Sequence, residues 1–205
     1  LGPEIAVEQP VSTNIADGGS QSFGSLTNGT SAPLTFTIKN TGDVALSLSG
    51  VSVTGANASD FAVTTTGMST SVAAGSSTTF SVTFTPSAVG SRSTTLQILS
   101  DDYDEATFDI TLTGTGLNAT PTIGDIADQT IDEDANTGAL TFTIGDFETA
   151  ASSLTVTRAS SDTTLVPLAN IVLGGSGASR TLTVTPAANL SGTAIITVTV
   201  SDGTV

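Results

Sequence analysis

The sequence alternates apolar with hydroxyl-bearing or acidic residues in short runs, and this period of two constrains the fold most. Clear runs occupy residues 34–38, 80–84, 108–112, 140–144 and 196–200. Successive side chains of a strand point to opposite faces, so each run buries one face and exposes the other. No window of eleven or more residues has a helical period. The chain is therefore predicted to be all-β, in antiparallel sheets.

Glycine, asparagine and aspartate separate these runs at near-regular intervals, which is typical of a β-sandwich. In the first half, strands are predicted near 4–8, 22–26, 34–40, 45–53, 61–65, 78–86, 93–100 and 106–113. The segment 114–121 then combines two glycines with a final Pro121, which indicates a linker. We expect two tandem immunoglobulin-like β-sandwiches, residues 1–116 and 117–205.

Charge and composition exclude many functions. The 205 residues include 19 Asp and Glu but only 4 Lys and Arg, a net charge of -15, with no His and no Cys. Catalytic triads, cysteine nucleophiles, zinc sites and disulfides are therefore ruled out. The charge opposes binding to nucleic acid or to an anionic membrane. No apolar run is long enough to span a bilayer. We expect a monomer that is not an enzyme.

The first half carries an ordered series of motifs. These are Phe-Thr-Ile-Lys-Asn-Thr-Gly at 36–42, Phe-Ser-Val-Thr-Phe-Thr-Pro at 80–86, Leu-Gln-Ile-Leu-Ser-Asp-Asp at 96–102 and Leu-Thr-Gly-Thr-Gly at 112–116. The series resembles the ASH-type (HYDIN-like, choice-of-anchor D) immunoglobulin-like domain of large bacterial exoproteins, over residues 4–116. The resemblance implies a sandwich related to the major sperm protein fold, without catalysis.

The second half carries other motifs. Ala-Asp-Gln-Thr-Ile-Asp-Glu-Asp stands at 127–134, Val-Leu-Gly-Gly-Ser-Gly at 172–177 and Val-Thr-Val-Ser-Asp-Gly at 198–203. Over residues 121–203 this resembles the cadherin-like, Ig-like repeat of bacterial surface proteins. Such repeats are followed by further copies, so we expect both ends of the chain to continue into a longer protein.

Calcium is the ligand that the composition favours, because it takes hard oxygen donors. Asp146 and Glu148 follow the second strand of the second domain, and in an extended segment both side chains point the same way. That strand should run antiparallel to the first, which places the pair near Asn118 in the linker. Cadherins hold interdomain calcium with a similar pair. The alternative is a solvated acidic turn.

A second acidic group, Asp132–Asp134, lies on or after the first strand of the second domain, and Asp202 closes the last strand. Glu133, Asp134 and Asp202 are candidate calcium ligands at the far pole, which a following repeat would complete. The alternative is an exposed bulge that protects a sheet edge.

The loop at 101–105 contains four acids in five residues but lacks the glycine of an EF-hand loop. We therefore expect an exposed hairpin tip rather than a calcium loop. If this loop meets a partner, Tyr103 is the available aromatic anchor, with Asp102 beside it.

These features together predict a non-catalytic stalk module of a large bacterial secreted or cell-surface protein. It would space or present neighbouring domains of the same polypeptide in an adhesive protein, and calcium would stiffen it. The alternative is an extracellular module that binds carbohydrate, or a protein partner by strand addition.

Overall fold

The computed structural model describes residues 2–204 and divides into two compact units, one ending at Asn118 and the other beginning at Ala119. Strands dominate both units, as predicted, and the only helical segments in 2–204 are two short 3-10 turns, Ala58–Asp60 and Leu168–Asn170. No helix within these residues is long and apolar enough to cross a membrane.

The first unit is a sandwich of two five-stranded sheets. Its strands are β1 (Ile5–Glu8), β2 (Asn14–Ile15), β3 (Gly19–Thr27), β4 (Ala32–Asn40), β5 (Leu46–Thr54), β6 (Phe61–Thr64), β7 (Ser71–Val72), β8 (Ser77–Phe84), β9 (Gly90–Ser100) and β10 (Thr107–Leu117). One sheet has the order β2-β1-β4-β8-β6 and the other β3-β10-β9-β5-β7. All eight strands predicted in this half are present.

The core of the first unit consists of the apolar side chains that alternate with polar ones along its strands. In β8 and β10 nearly every second side chain is buried, and these side chains meet between the sheets. Phe61 and Phe84 stack with ring centroids 4.8 Å apart, and Phe36 stacks on Phe80 at 5.3 Å. Close packing of this kind fills the interior and fixes the position of the loops at either end.

One pairing differs from the expected antiparallel pattern, because β3 runs parallel to β10 at the edge of its sheet. Alternation specifies which face of a strand is buried but not the direction of its neighbour, so the sequence could not reveal this. The pairing continues to Leu117, opposite Thr27. Leu117 therefore belongs to the first unit, whereas the predicted boundary lay before it.

The second unit has its own core and two smaller sheets. Its strands are β11 (Thr122–Ile123), β12 (Leu140–Gly145), β13 (Thr155–Ser160), β14 (Ile171–Ser176), β15 (Ser179–Val184) and β16 (Ile196–Ser201). The sheets are β11-β12-β15-β14 and β13-β16. Phe142, Ile171 and Leu182 are among the buried residues. Its first strand is only two residues long, so Asp132–Asp134 lie in a non-strand segment well after it.

Candidate functional site

The acidic pair Asp146 and Glu148 follows β12 directly. As predicted, β12 is antiparallel to the first strand of its unit, with Gly145 opposite Thr122. The pair therefore lies beside the beginning of the second unit, where Glu148 Oε1 accepts a 2.9 Å hydrogen bond from the backbone N–H of Ala119.

The segment that carries this pair is a turn and not an extended strand. Asp146 Oδ1 accepts hydrogen bonds from the backbone N–H groups of Glu148, at 3.0 Å, and Thr149, at 2.6 Å. The expectation that strand alternation aligns the two carboxylates was therefore wrong, because an aspartate that bonds to the backbone two residues on closes a tight turn. The Asx turn holds the pair in place instead.

Each carboxylate of the pair has one oxygen that the protein leaves unsatisfied. Asp146 Oδ2 and Glu148 Oε2 are inaccessible to solvent and have no hydrogen-bond partner in residues 2–204. A buried oxygen of this kind costs free energy unless something binds it. Asn118 is the last residue of the first unit, and its sharing of a cation with this pair stays a prediction.

The other predicted calcium ligands in the second unit are not brought into one acidic group. Glu133 and Asp134 are exposed, and Asp134 Oδ1 accepts a hydrogen bond from Asn189 N–H at 3.0 Å. Asp202 Oδ1 accepts one from Thr204 N–H at 2.8 Å. Within residues 2–204, three or more acidic side chains converge at one place only, and it lies in the first unit.

That place is the loop between β9 and β10, which differs from the expected exposed tip. Tyr103 is 97% exposed, so its proposed role as a partner anchor stays a prediction. Asp102 is only 2% exposed, and Oδ2 of its carboxylate accepts a 2.7 Å hydrogen bond from Ile5 N–H. Asp102 is therefore not a surface contact, and that part of the prediction was wrong.

The turn of Asp102 towards β1 creates a group of four acids, the first-unit acidic cluster, consisting of Glu4, Asp102, Asp104 and Glu105. One carboxylate oxygen from each lies within 4.8 Å of those of the other three. Asp101 is not a member, because its Oδ1 accepts the N–H of Ser47 at 2.7 Å. Hydrogen bonds from Ser47 lower the pKa of Asp101.

The cluster is electrostatically unbalanced. Burial raises the pKa of Glu105, and the negative charges of Asp104, Asp102, Glu4 and Asp17 raise it further. Glu105 Oε2 is inaccessible to solvent and has no hydrogen-bond partner in the described chain. The sequence places three of these four acids within four positions, 102–105, but Glu4 stands about a hundred positions away, so only the fold reveals the fourth.

Together these features define an all-β protein of immunoglobulin-like sandwich architecture with acidic sites at loop positions. Residues 17–117 match the family model described as Cep192 domain 4. The match agrees with the predicted ASH-type domain in the first half. The resemblance of the second half to cadherin-like repeats stays a prediction.

Solved structures with a similar fold include a protein of unknown function from Porphyromonas gingivalis W83, 14% identical over 56% of this chain and 67% of that chain, with a TM-score of 0.41. The ASH/PapD-like domain 7 of human CEP192 is 16% identical over 56% and 86%, with a TM-score of 0.38. Domains 5-6 of the S-layer protein SbsC are 15% identical over 96% and 91%, with a TM-score of 0.29. No curated protein sequence matches the chain.

Proposed function

We propose that this chain is a non-catalytic structural module of a large bacterial secreted or cell-surface protein, in which it spaces or presents other domains. The observation that carries the proposal is that one chain contains two compact β units, each with its own hydrophobic core. A unit with its own core resists unfolding by itself, so a series of such units transmits load.

The acidic composition supports an extracellular location. A net charge of -15 and the lack of cysteine suit a bacterial surface protein that neither binds nucleic acid nor depends on disulfides. Like charge on the modules also opposes their association. Neighbouring domains of the same polypeptide are the partners that this role requires.

Mechanical unfolding tests the proposal. When the chain is stretched between handles in a single-molecule experiment, a load-bearing module should unfold in two separate events. Extended chain spans about 3.5 Å per residue, so the events should lengthen the molecule by about 35–40 nm and 25–30 nm. A single event, or unfolding at forces too small to resolve, would contradict a load-bearing role.

We also propose that the acidic pair of the second unit, Asp146 and Glu148, binds calcium and stiffens the module. The support is the buried, unsatisfied oxygen on each carboxylate, beside a turn that holds both in place. Calcium accepts several carboxylate oxygens and would supply the missing partner.

A double variant, D146N/E148Q, tests this assignment against D128N, which removes a charge from an exposed aspartate in the same unit. Calcium in the millimolar range should raise the melting temperature of the second unit in the parent and in D128N. The double variant should lose the shift. An equal shift in all three proteins would place the bound ion elsewhere.

Binding of a protein partner by strand addition is the second candidate function. In residues 2–204, β13 and β16 pair only with each other, so each has one edge without a neighbouring strand. Such an edge can accept a strand from another chain. Ligand-dependent protection of β16 amides from hydrogen exchange would favour this function, and a glycan array tests the carbohydrate alternative.

A further inference from the structure

Two strands of the second unit, β13 and β14, face each other across its core at the edges of their sheets. β14 is the last strand of the order β11-β12-β15-β14, and β13 pairs only with β16 within residues 2–204. Arg158 of β13 donates from Nε to the carbonyl of Leu168 at 3.2 Å, in the 3-10 turn that leads into β14. One side of this unit is therefore bounded by two strands that each have a free edge.

A cavity lies between these two strands, and we call it the side cleft. It is lined by Val156 of β13, Leu173 of β14, Phe142 of β12 and Arg180 of β15. Its volume is about 80 Å³. One water molecule takes up about 30 Å³ in the liquid, and an apolar cavity of about 150 Å³ holds benzene. The side cleft is therefore large enough for one small aliphatic side chain.

The sheet beside the side cleft is poorly covered on its inner face. No side chain in β13 or β16 is fully buried, whereas β15 in the other sheet buries Leu182 and Val184. Val156 and its partner across the pair, Val200, pack against the core but are only half-buried. A strand with one face on a core normally buries alternate side chains. An additional strand along β13 would therefore bury apolar surface that the described chain leaves partly exposed.

The charge on these strands is positive although the chain is acidic. β12, β13, β14 and β15 contain two charged residues, Arg158 and Arg180. Both ion pairs in residues 2–204 belong to the first unit, so neither arginine has a carboxylate partner in this part of the chain. Arg158 donates to one backbone carbonyl and Arg180 to two. A guanidinium has five N–H donors, so each arginine can also bind a carboxylate.

We propose that the free edge of β13 binds an extended segment of another protein, in which one face carries an aliphatic residue flanked by acidic residues. Side chains on one face of a strand are two positions and about 7 Å apart, and Val156 and Arg158 have this spacing. An aliphatic side chain of the partner fills the side cleft next to Val156, and a carboxylate two positions away contacts Arg158. This inference rests on the strand addition proposed above and specifies its edge and the chemistry of the partner.

Arg158 could instead protect the edge, because a charge that points inward from an edge strand discourages pairing with other chains. The two roles predict opposite effects when the charge is removed. If Arg158 binds a carboxylate of the partner, R158Q weakens the complex. If Arg158 protects the edge, R158Q leaves the affinity unchanged or increases it.

Two peptides of equal composition and charge test the proposal on the whole chain. The end-blocked peptide Thr-Glu-Thr-Val-Thr-Glu-Thr places both glutamates on the face of its valine, whereas Glu-Thr-Thr-Val-Thr-Thr-Glu places them on the opposite face. Titration followed by amide chemical shifts in NMR spectra gives both the site and the affinity. The first peptide should shift the β13 amides saturably, and the second should bind about fivefold more weakly or worse.

Variants of the protein complete the test. R158Q should weaken binding of the first peptide by about two- to fivefold, the effect of one exposed ion pair. K39Q removes a positive charge from the first unit and should bind the peptide as the parent does. Unchanged or tighter binding by R158Q, or equal affinity for the two peptides, would overturn this inference.

The location of the shifts separates this inference from the function on which it rests. Saturable shifts confined to β16 would overturn the assignment to β13 but leave strand addition in place. If neither strand responds to the first peptide at concentrations up to about 5 mM, both the inference and strand addition of such a segment are refuted.

Discussion

The side chain of Arg92 donates from Nε to Oδ2 of Asp60 at 2.6 Å, and Asp60 is only 2% exposed. Arg92 lies in β9, whereas Asp60 ends the 3-10 turn that leads into β6 of the other sheet. Ser87 assists, because its backbone N–H also donates to Oδ2 and its hydroxyl accepts from Arg92. The pair therefore joins the two sheets of the first unit through a buried charge.

Removal of Arg92 should leave that charge uncompensated. We expect R92A to lower the free energy of unfolding of the first unit by about 3–5 kcal/mol, since breaking a buried pair strands its partner. Urea titration measures the effect. R158A is the matched control, because Arg158 is exposed and bonds only to a carbonyl in the second unit, and it should cost less than about 1 kcal/mol. Equal losses in the two variants would refute the argument.

The same pair should make stability depend on acid pH. Burial raises the pKa of Asp60, but the hydrogen bonds and charge from Arg92 and Ser87 outweigh it, so the pKa lies below its ordinary value of 3.8. A lowered pKa contributes stability above the unfolded-state value, and this is lost as the pH falls through the folded-state value. The free energy of unfolding should therefore decline below about pH 4.

The D60N variant isolates this contribution. It lacks the titrating group, so its stability should fall less steeply than that of the parent between about pH 4 and pH 2. Urea midpoints at several pH values measure both slopes, and the other carboxylates contribute equally to the two proteins. Parallel slopes would show that Asp60 does not titrate as argued.

Gly114 allows a packing prediction. A Cβ at this position in β10 would collide with the ring of Phe84, which is fully buried in the core. We expect G114A to destabilise the first unit by about 1–3 kcal/mol through overpacking. Gly50 in β5 is the control, because a Cβ there would meet only Leu99 Cδ1, at 3.9 Å. G50A should be neutral or slightly stabilising, and a loss as large as that of G114A would contradict the explanation.

Alternation predicted the strands of the first unit well because its core is large and two-sided. Each run with a clear period, such as β8 and β10, buries its apolar face. The strands of the second unit are harder to predict from the sequence, because β12 and β14 contain glycines. The Gly-Gly-Ser-Gly sequence at 174–177 favours a turn, and Gly177 does lie in one, but residues 174–176 form the end of β14 and pair with β15. A glycine favours a turn only where the backbone is free of a neighbouring strand.

The candidate sites show what local patterns leave out. The sequence shows the acids at 101–105, and we predicted that they are exposed because they lie at the tip of a hairpin. The inward turn of Asp102 depends on Ile5, a contact 97 positions away in sequence that only the fold creates. In contrast, the strand order correctly predicted that β12 is antiparallel to the first strand of its unit, and this pairing brings Glu148 within hydrogen-bond distance of Ala119.

Two buried asparagines should differ in how much stability their truncation costs. Asn40, 1% exposed, donates to Val44 O at 2.6 Å and Val72 O at 2.9 Å, and its Oδ1 accepts from Gly42 N–H and Glu4 N–H. N40A would strand these backbone groups and should cost about 2–4 kcal/mol.

Asn28 is the matched control for this prediction. It is 3% exposed, but neither Oδ1 nor Nδ2 has a hydrogen-bond partner in residues 2–204. N28A removes an amide whose burial is already unfavourable, so relief of that penalty offsets the lost packing and the net change should stay within about 1 kcal/mol. Urea unfolding of the two variants measures the difference. Equal losses of stability in the two variants would show that burial, and not hydrogen bonding, sets the role of these side chains.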